Sequence, residues 1–206
     1  MPVKRLKNAN RYLRRGGVYE LGLRLSARRL LPDRFFLMNE TEIMEFSRLE
    51  AIAPGRNNGR YECACAYESA IEDLLVCSPP KTRSLLRGSF KRFFEEHAKC
   101  YVVRQGASVV GYVWAFPRRY VLTYDDYRGR NLTVRSDDRS VFLGNGMIDE
   151  KYRLKGLFPL LMSFVLQQWP RDTHFYTAVD KVNERSMLSH QRLGFVSCGK
   201  VLCVTL

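Results

Sequence analysis

IDEKYRLKGLF, residues 148–158, ends an apolar strand, crowds Arg153 and Lys155 around Gly156, and opens a strongly apolar helix. A junction of this kind is suited to holding phosphate. The first N–H groups of a helix have no partner within it and point outward, and the helix dipole adds partial positive charge at that end. Arg153 and Lys155 supply full charges, and Gly156 lets the backbone approach an anion with no side chain between. A basic turn before a helix is commonly plain solvated surface, so the flanking sequence has to decide between the two.

Upstream, residues 100–116 (CYVVRQGASVVGYVWAF) predict two strands joined by a turn at Gln105-Gly106. Downstream the pattern predicts a helix of about a dozen residues, a short buried strand from His174 to Val179, and a helix that starts near Asn183 and is closed by Gly194. The order is hairpin, strand, phosphate turn, helix, strand, helix, strand.

In that order these motifs resemble the GNAT family of N-acetyltransferases, whose acyl-CoA signature is commonly written V-x-P-x-Y-R-G-K-G-I-G/A. Ile148 falls on the leading aliphatic position, Tyr152-Arg153 on the Tyr-Arg pair, Lys155-Gly156 on the Lys-Gly pair and Leu157 on the following aliphatic. Leu154 stands where a glycine is common, and Phe158 where the last small residue is common. The family's later helix runs from an Asn through a Tyr to Leu-Gly-Phe, and here Asn183 leads to Leu193-Gly194-Phe195 with His190 at the Tyr position.

The resemblance implies an α/β (α+β) fold, with a mixed, mostly antiparallel central sheet carrying helices on both faces. It implies two neighbouring strands, here about Val141 to Asp149 and His174 to Asp180, that splay apart to take the thioester arm of CoA. Acetyl-CoA or another acyl-CoA is then the co-substrate. Its contacts are expected at Met147, Ile148, Arg153, Leu154, Lys155, Gly156, Leu157, Phe158 and Asn183. A backbone N–H near Met147 is expected at the oxyanion. His190 is expected to protonate the departing thiolate, a role an imidazole can fill near neutral pH; the plain alternative is a histidine on a helix surface. A carboxylate must also accept the amine proton, and Asp149 and Glu150 are close in sequence, although either can simply cap the loop.

Composition bounds the remaining possibilities. With 206 residues and 46% hydrophobic content, the chain can bury one sizeable core. The sequence predicts residues 1–34 as a basic N-terminal arm and 35–206 as one acyltransferase domain. No secretory signal pattern is visible, and the longest apolar run, near Phe158 to Val165, is too short to span a bilayer. Six cysteines, at 63, 65, 77, 100, 198 and 203, lack paired C-x-x-C spacing, which predicts reduced thiols in a cytoplasmic setting. His97, His174 and His190 show no ligand spacing, so no metal is expected. No local signature supports a Cys/His nucleophile.

The net charge of +13 is uneven: residues 1–34 carry ten Lys/Arg against Glu20 and Asp33, a net +8. Val18, Leu21, Leu25 and Leu30 suggest an apolar stripe on a helix ended by Pro32. Three readings of this arm stay open. It packs on the domain or at a homodimer contact; it lies on an anionic membrane surface at the cytoplasmic side; or it docks an acidic carrier such as acyl carrier protein. Nucleic acid is not expected, because no recognition motif accompanies the charge.

The N-terminal half predicts a strand from Phe35 to Asn39, a helix from Glu40-Thr41 toward Leu49, and two further helices from Tyr67 to Leu75 and Thr82 to His97. The second carries Leu85, Leu86, Phe90, Phe93 and Phe94 at core spacing. Between Pro117 and Ser140, a segment with Tyr120, Tyr124 and Tyr127 reads either as a solvated hairpin extension or as a wall of the acceptor site. Gly144-Asn145-Gly146 is a bulge signal. After Phe195 there is room for one strand or a tight hairpin, so the sheet edge is expected to be short or completed by a partner chain. The resemblance implies a small-molecule or protein amine as acceptor, acylated directly from acyl-CoA. The alternatives are a donor on acyl carrier protein, or a non-catalytic binding module of the same fold.

Overall fold

The signature hairpin anchors the sheet. β3 (Lys99–Gln105) and β4 (Ser108–Pro117) pair antiparallel with Cys100 opposite Trp114 and Val102 opposite Tyr112, and they turn at Gly106. The computed structural model describes residues 17–26, 37–46, 59–125, 130–135 and 137–205. β4 is buried from Val109 to Phe116 because it is covered on both faces.

Along the chain come helix α1 (residues 17–26), β1 (Leu37–Phe46), β2 (Glu62–Ala66), α2 (Ile71–Val76) and α3 (Arg83–Glu95). After β3 and β4 follow a hairpin of β5 (Arg119–Asp125) and β6 (Arg130–Arg135), then β7 (Ser140–Ile148), α4 (Leu157–Gln167), β8 (His174–Asp180), α5 (Glu184–Arg192) and β9 (Val196–Thr205). The central sheet has the order β2-β3-β4-β7-β8-β1-β9, while β5 and β6 form their own two-stranded sheet. Within the central sheet only β7 and β8 pair in parallel.

Two apolar layers sandwich the sheet. On one face Leu161, Met162, Val165 and Leu166 of α4 pack on Tyr101, Val113, Leu143 and Phe175. On the other, α2 and α3 cover Trp114, Tyr112 and Phe142, and Phe90, Phe93 and Phe94 lie 4.8 to 5.3 Å from the Trp114 ring. Burying a side chain such as Phe90 or Phe175 contributes about 2 kcal/mol. Of the five residues expected to face the core from this helix, Leu85 instead lies on the outside, 69% exposed.

The N-terminal half departs most from the sequence expectation. The helix expected from Glu40-Thr41 is a strand: β1 runs through these residues to Phe46 and lies between β8 and β9, antiparallel to both. The reason lies far away in the chain. Glu40 is only 5% exposed, and its carboxylate meets Lys181 at 2.8 Å, Lys200 at 3.8 Å and the Tyr19 hydroxyl. Burial alone would raise its pKa, but these partners outweigh that and hold the carboxyl below its usual range. Glutamates that look like a helix start in isolation are thus neutralised across the sheet. Phe35 and the segment from Ser47 to Leu49 lie outside the described residues.

The sheet is completed beside β8 by β1 of the same chain, and β9 is a single strand of ten residues at the edge. α1 packs alongside with a different face from the expected stripe: Leu23 is 1% exposed and Val18 80%. Arg24 reaches Glu20, Glu184 and the carbonyl of Val182, and Ser26 Oγ accepts from Met38 N at 3.0 Å. Leu30 and Pro32 lie outside the described residues. Among the described residues, no helix is long and apolar enough to cross a membrane.

Candidate active site

β7 and β8 pair only from Ser140/His174 to Leu143/Thr177. Beyond that point Gly144–Ile148 and Ala178–Asp180 have no register partner across the gap, so the strands diverge toward the start of α4. A bulge drives the separation on the β7 side. Opposite β4, Gly144 pairs with Trp114 and Met147 with Tyr112, so Asn145 and Gly146 together face Val113, with Asn145 at φ 50°. Gly144-Asn145-Gly146 is therefore the predicted bulge.

The loop after β7 is a short 3-10 turn, Glu150–Tyr152, capped by Asp149, whose carboxylate accepts from Lys151 N at 2.9 Å. Neither Asp149 nor Glu150 lines the cavity between the strands. Leu154, standing at the glycine-favoured position, takes φ 63° and is 98% exposed, so the loop keeps a left-handed step there despite the side chain. Such a step costs a non-glycine residue about 1 kcal/mol or somewhat more. Gly156 follows at φ 74° as the N-cap of α4, with no side chain capping the helix. Among the described residues, no backbone acceptor meets the N–H groups of Leu154, Lys155, Gly156, Leu157 or Phe158. Pro159 occupies the first turn, where its missing N–H removes no helical bond.

The two cations are held beside these amides. Arg153 Nε donates to the Ile148 carbonyl at 3.3 Å, and Lys155 Nζ stands 4.7 Å from the Tyr152 ring centre. Leu157 turns into the core, 2% exposed, so only its backbone faces the junction. Met147 differs from expectation. A Cβ on Gly111 would lie 3.0 Å from the Met147 carbonyl, which places that residue's backbone against β4 instead of the gap. Strand alternation then turns the backbone of Ile148 toward the gap.

A cavity of about 360 Å3 fills the divergence, lined by the bulge residues, Thr177 to Asp180, Thr41, Phe158, Met162, Asn183, Ser186, His190, and Tyr120 and Leu122 from the hairpin. Asn183 lines it while its Oδ1 caps α5 by accepting from Ser186 N at 3.2 Å. Phe158 packs edge-on against His190 at 4.9 Å, and Phe195 does the same at 5.4 Å.

His190 is 7% exposed and is not a surface histidine. Its Nδ1 lies 2.8 Å from the Ser186 carbonyl, which can only accept, so Nδ1 carries the proton and Nε2 is left as an acceptor in the neutral ring. Burial pushes its pKa below the ordinary 6.5 and outweighs the hydrogen bond to Ser186, which pulls the other way. A resting imidazole of this kind has no proton on Nε2 to give. The expectation of a ready proton donor needs this correction.

Sequence reasoning left the role of Tyr120 open, and the fold brings it into the cavity. Its ring stacks on Phe142 at 4.1 Å and 10°, and its hydroxyl accepts from Asn145 Nδ2 at 3.3 Å. A Cβ on Gly144 would lie 2.9 Å from that hydroxyl, so the strand is bare where the phenol crosses it. Gly144→Ala is expected to displace the hairpin and lower kcat/KM about tenfold or more. Adding Tyr120→Ala should relieve the clash, so that the double variant is no worse than Tyr120→Ala alone by steady-state kinetics. Cys63 and Cys77, by contrast, have thiols pushed by burial to about 11 and about 12, which suits packing and not nucleophilic attack.

The splayed parallel pair, the bulge and the uncapped basic helix start occur within the span matched by a family model. Residues 66–195 match the model of the Acetyltransferase (GNAT) family. The chain belongs to the GNAT family.

Solved structures agree at the level of fold. A conserved protein of unknown function from Staphylococcus epidermidis is similar with TM-score 0.59 and 10% identity, over 89% of this chain and 65% of that one. A tandem GNAT protein from the clavulanic acid biosynthesis pathway is similar with TM-score 0.58 and 15% identity, over 82% and 53%. An aminoglycoside antibiotic 6′-N-acetyltransferase from Acinetobacter baumannii gives TM-score 0.52 and 17% identity, over 71% and 97%. The chain thus spans between half and two thirds of the length of the first two. No curated protein matches it. Acyl transfer from acyl-CoA is the chemistry usual in this family.

Proposed function

We propose that this GNAT protein is an acyl-CoA-dependent N-acyltransferase that moves an acyl group, in the first instance acetyl, directly onto a primary amine. The observation that carries this reading is the row of open amides at the start of α4, beside Arg153 and Lys155 and at the mouth of the divergence between β7 and β8. Backbone groups of residues 154–158 would hold the pyrophosphate, and the pantetheine arm would run into the gap. Asn183 would meet it through the amide end that the cap leaves over.

In the reaction an ammonium loses one proton to solvent, and the free amine attacks the thioester carbonyl. The tetrahedral oxyanion would be met by the N–H of Ile148 or of the bulge, since Met147 faces β4. His190 Nε2 takes the second proton from nitrogen as the C–N bond forms, and returns it to sulfur as the C–S bond breaks. The products are an amide and CoA thiol, with one proton released overall. Residues 1–16, which carry much of the basic arm, lie outside the described residues, and an acyl carrier or membrane role for them rests on charge alone.

The reading is tested by incubating the full chain with acetyl-CoA, or longer acyl-CoA thioesters, and a panel of primary amines, with free thiol followed by a colorimetric reagent. Amine-dependent thiol release is the expected result. Acyl-CoA binding without release across the panel would favour a non-catalytic module.

A further inference from the structure

On the basis of that reading, we infer that Asp180 is the acceptor-binding residue, holding the ammonium form of the amine on the side of the gap opposite His190. Three titratable side chains line the cavity among the described residues: Tyr120, Asp180 and His190. They do not share a face of the sheet. Along β8, Phe175 and Val179 pack into the layer under α4, whereas Tyr176 and Ala178 pack into the layer that includes α3. The two-residue alternation of a strand carries Asp180 onto the Tyr176 side. His190 belongs to α5, with its ring between Phe158 and Phe195 on the other side.

An acceptor approaching past α4 and α5 would meet buried Met162 and His190 and the ring of Phe158, so the open approach is on the Asp180 side. There the carboxylate is held by β1. Asn39 Nδ2 and Thr41 Oγ1 each donate to Oδ1 at 3.2 Å, and among the described residues neither donor nor cation meets Oδ2. Asp180 is exposed where it lines the cavity, so its free oxygen is open to an incoming group. The nearby cations are taken up elsewhere: Lys181 by Glu40, and Lys200 between Glu40 and Glu42. The gap therefore presents a fixed negative charge to whatever enters opposite the thioester, which selects an acceptor that arrives charged.

The test compares two nucleophiles of similar size with the full-length protein: an alkylamine, charged at neutral pH, and an alkoxyamine, uncharged there. Asp180→Asn should raise KM for the alkylamine about tenfold or more and leave KM for the alkoxyamine and for acetyl-CoA within about twofold. Asp180→Glu, which keeps the charge, should retain the preference for the alkylamine. Unchanged KM for the alkylamine in Asp180→Asn, or an equal rise for both nucleophiles, overturns the assignment while leaving the acyltransferase reading intact. Absence of turnover by the unaltered chain with every amine overturns both.

Discussion

Gly156→Glu is expected to weaken acyl-CoA binding about a hundredfold or more while the protein still unfolds cooperatively. Nothing lies within 4 Å of a Cβ built at Gly156, so the new side chain meets open space and not a packed wall. The cost to the fold is confined to backbone strain at φ 74°, about 1–2 kcal/mol for an L residue in that region. The cost to binding is larger, because a carboxylate placed on the N-cap of α4 occupies the amides that the pyrophosphate would use and repels its charge. Gly156→Asn serves as the control: it accepts a left-handed backbone and adds no charge, so it should retain most of the affinity. Calorimetric titration with acetyl-CoA reads both variants. Wild-type affinity in Gly156→Glu would remove the phosphate role from this junction and, with it, the basis of the donor assignment.

The second large effect is expected at His190. His190→Phe keeps an aromatic ring between Phe158 and Phe195, so packing survives, but the Nε2 acceptor is lost and kcat should fall about 10²-fold or more with little change in acetyl-CoA affinity. The pH dependence gives the role its sign. Burial lowers the pKa of this histidine from 6.5, and the neutral ring is the form that accepts a proton. The wild-type rate should therefore rise with pH through a midpoint below 6.5 and lose this acid limb in His190→Phe. A donor already charged at rest would give the opposite slope.

Stability follows the same linkage. The folded pKa lies below the unfolded one, so the neutral histidine contributes stability above the unfolded value, and that contribution is lost as pH falls through the folded value. Urea midpoints measured from pH 7 downward should show His190→Phe losing less stability on acidification than the wild type. An unaltered kcat in His190→Phe would remove it from the chemistry.

Local signals explain what could be read early. The hairpin at residues 100–116, the cations around Gly156 and the Asn183-to-Phe195 helix are each specified within a short window, by alternation, by turn residues and by capping. The same holds for the bulge, because two glycines around an asparagine permit the φ of 50° found at Asn145. β1 could not be read that way. Its glutamates resemble a helix start until Lys181 and Lys200 are brought against them, and those partners are 141 and about 160 residues away in sequence. Tyr120 stayed open between a solvated extension and an acceptor wall, and Asp180 gave no signal, since a tyrosine in a hairpin and an aspartate at a strand end gain meaning only when both reach one cavity.

By itself the sequence determined the family, the order of elements from β3 onward, and the position of the basic junction before α4, because these rest on contacts between near neighbours and on backbone conformations that few residues allow. Tertiary structure alone decided that an N-terminal strand lies between β8 and β9, that His190 rests neutral with its proton on Nδ1, and that the Asp180 carboxylate lines the same cavity. Each of these depends on burial and on charges brought together from distant parts of the chain, and neither quantity exists until the sheet has formed.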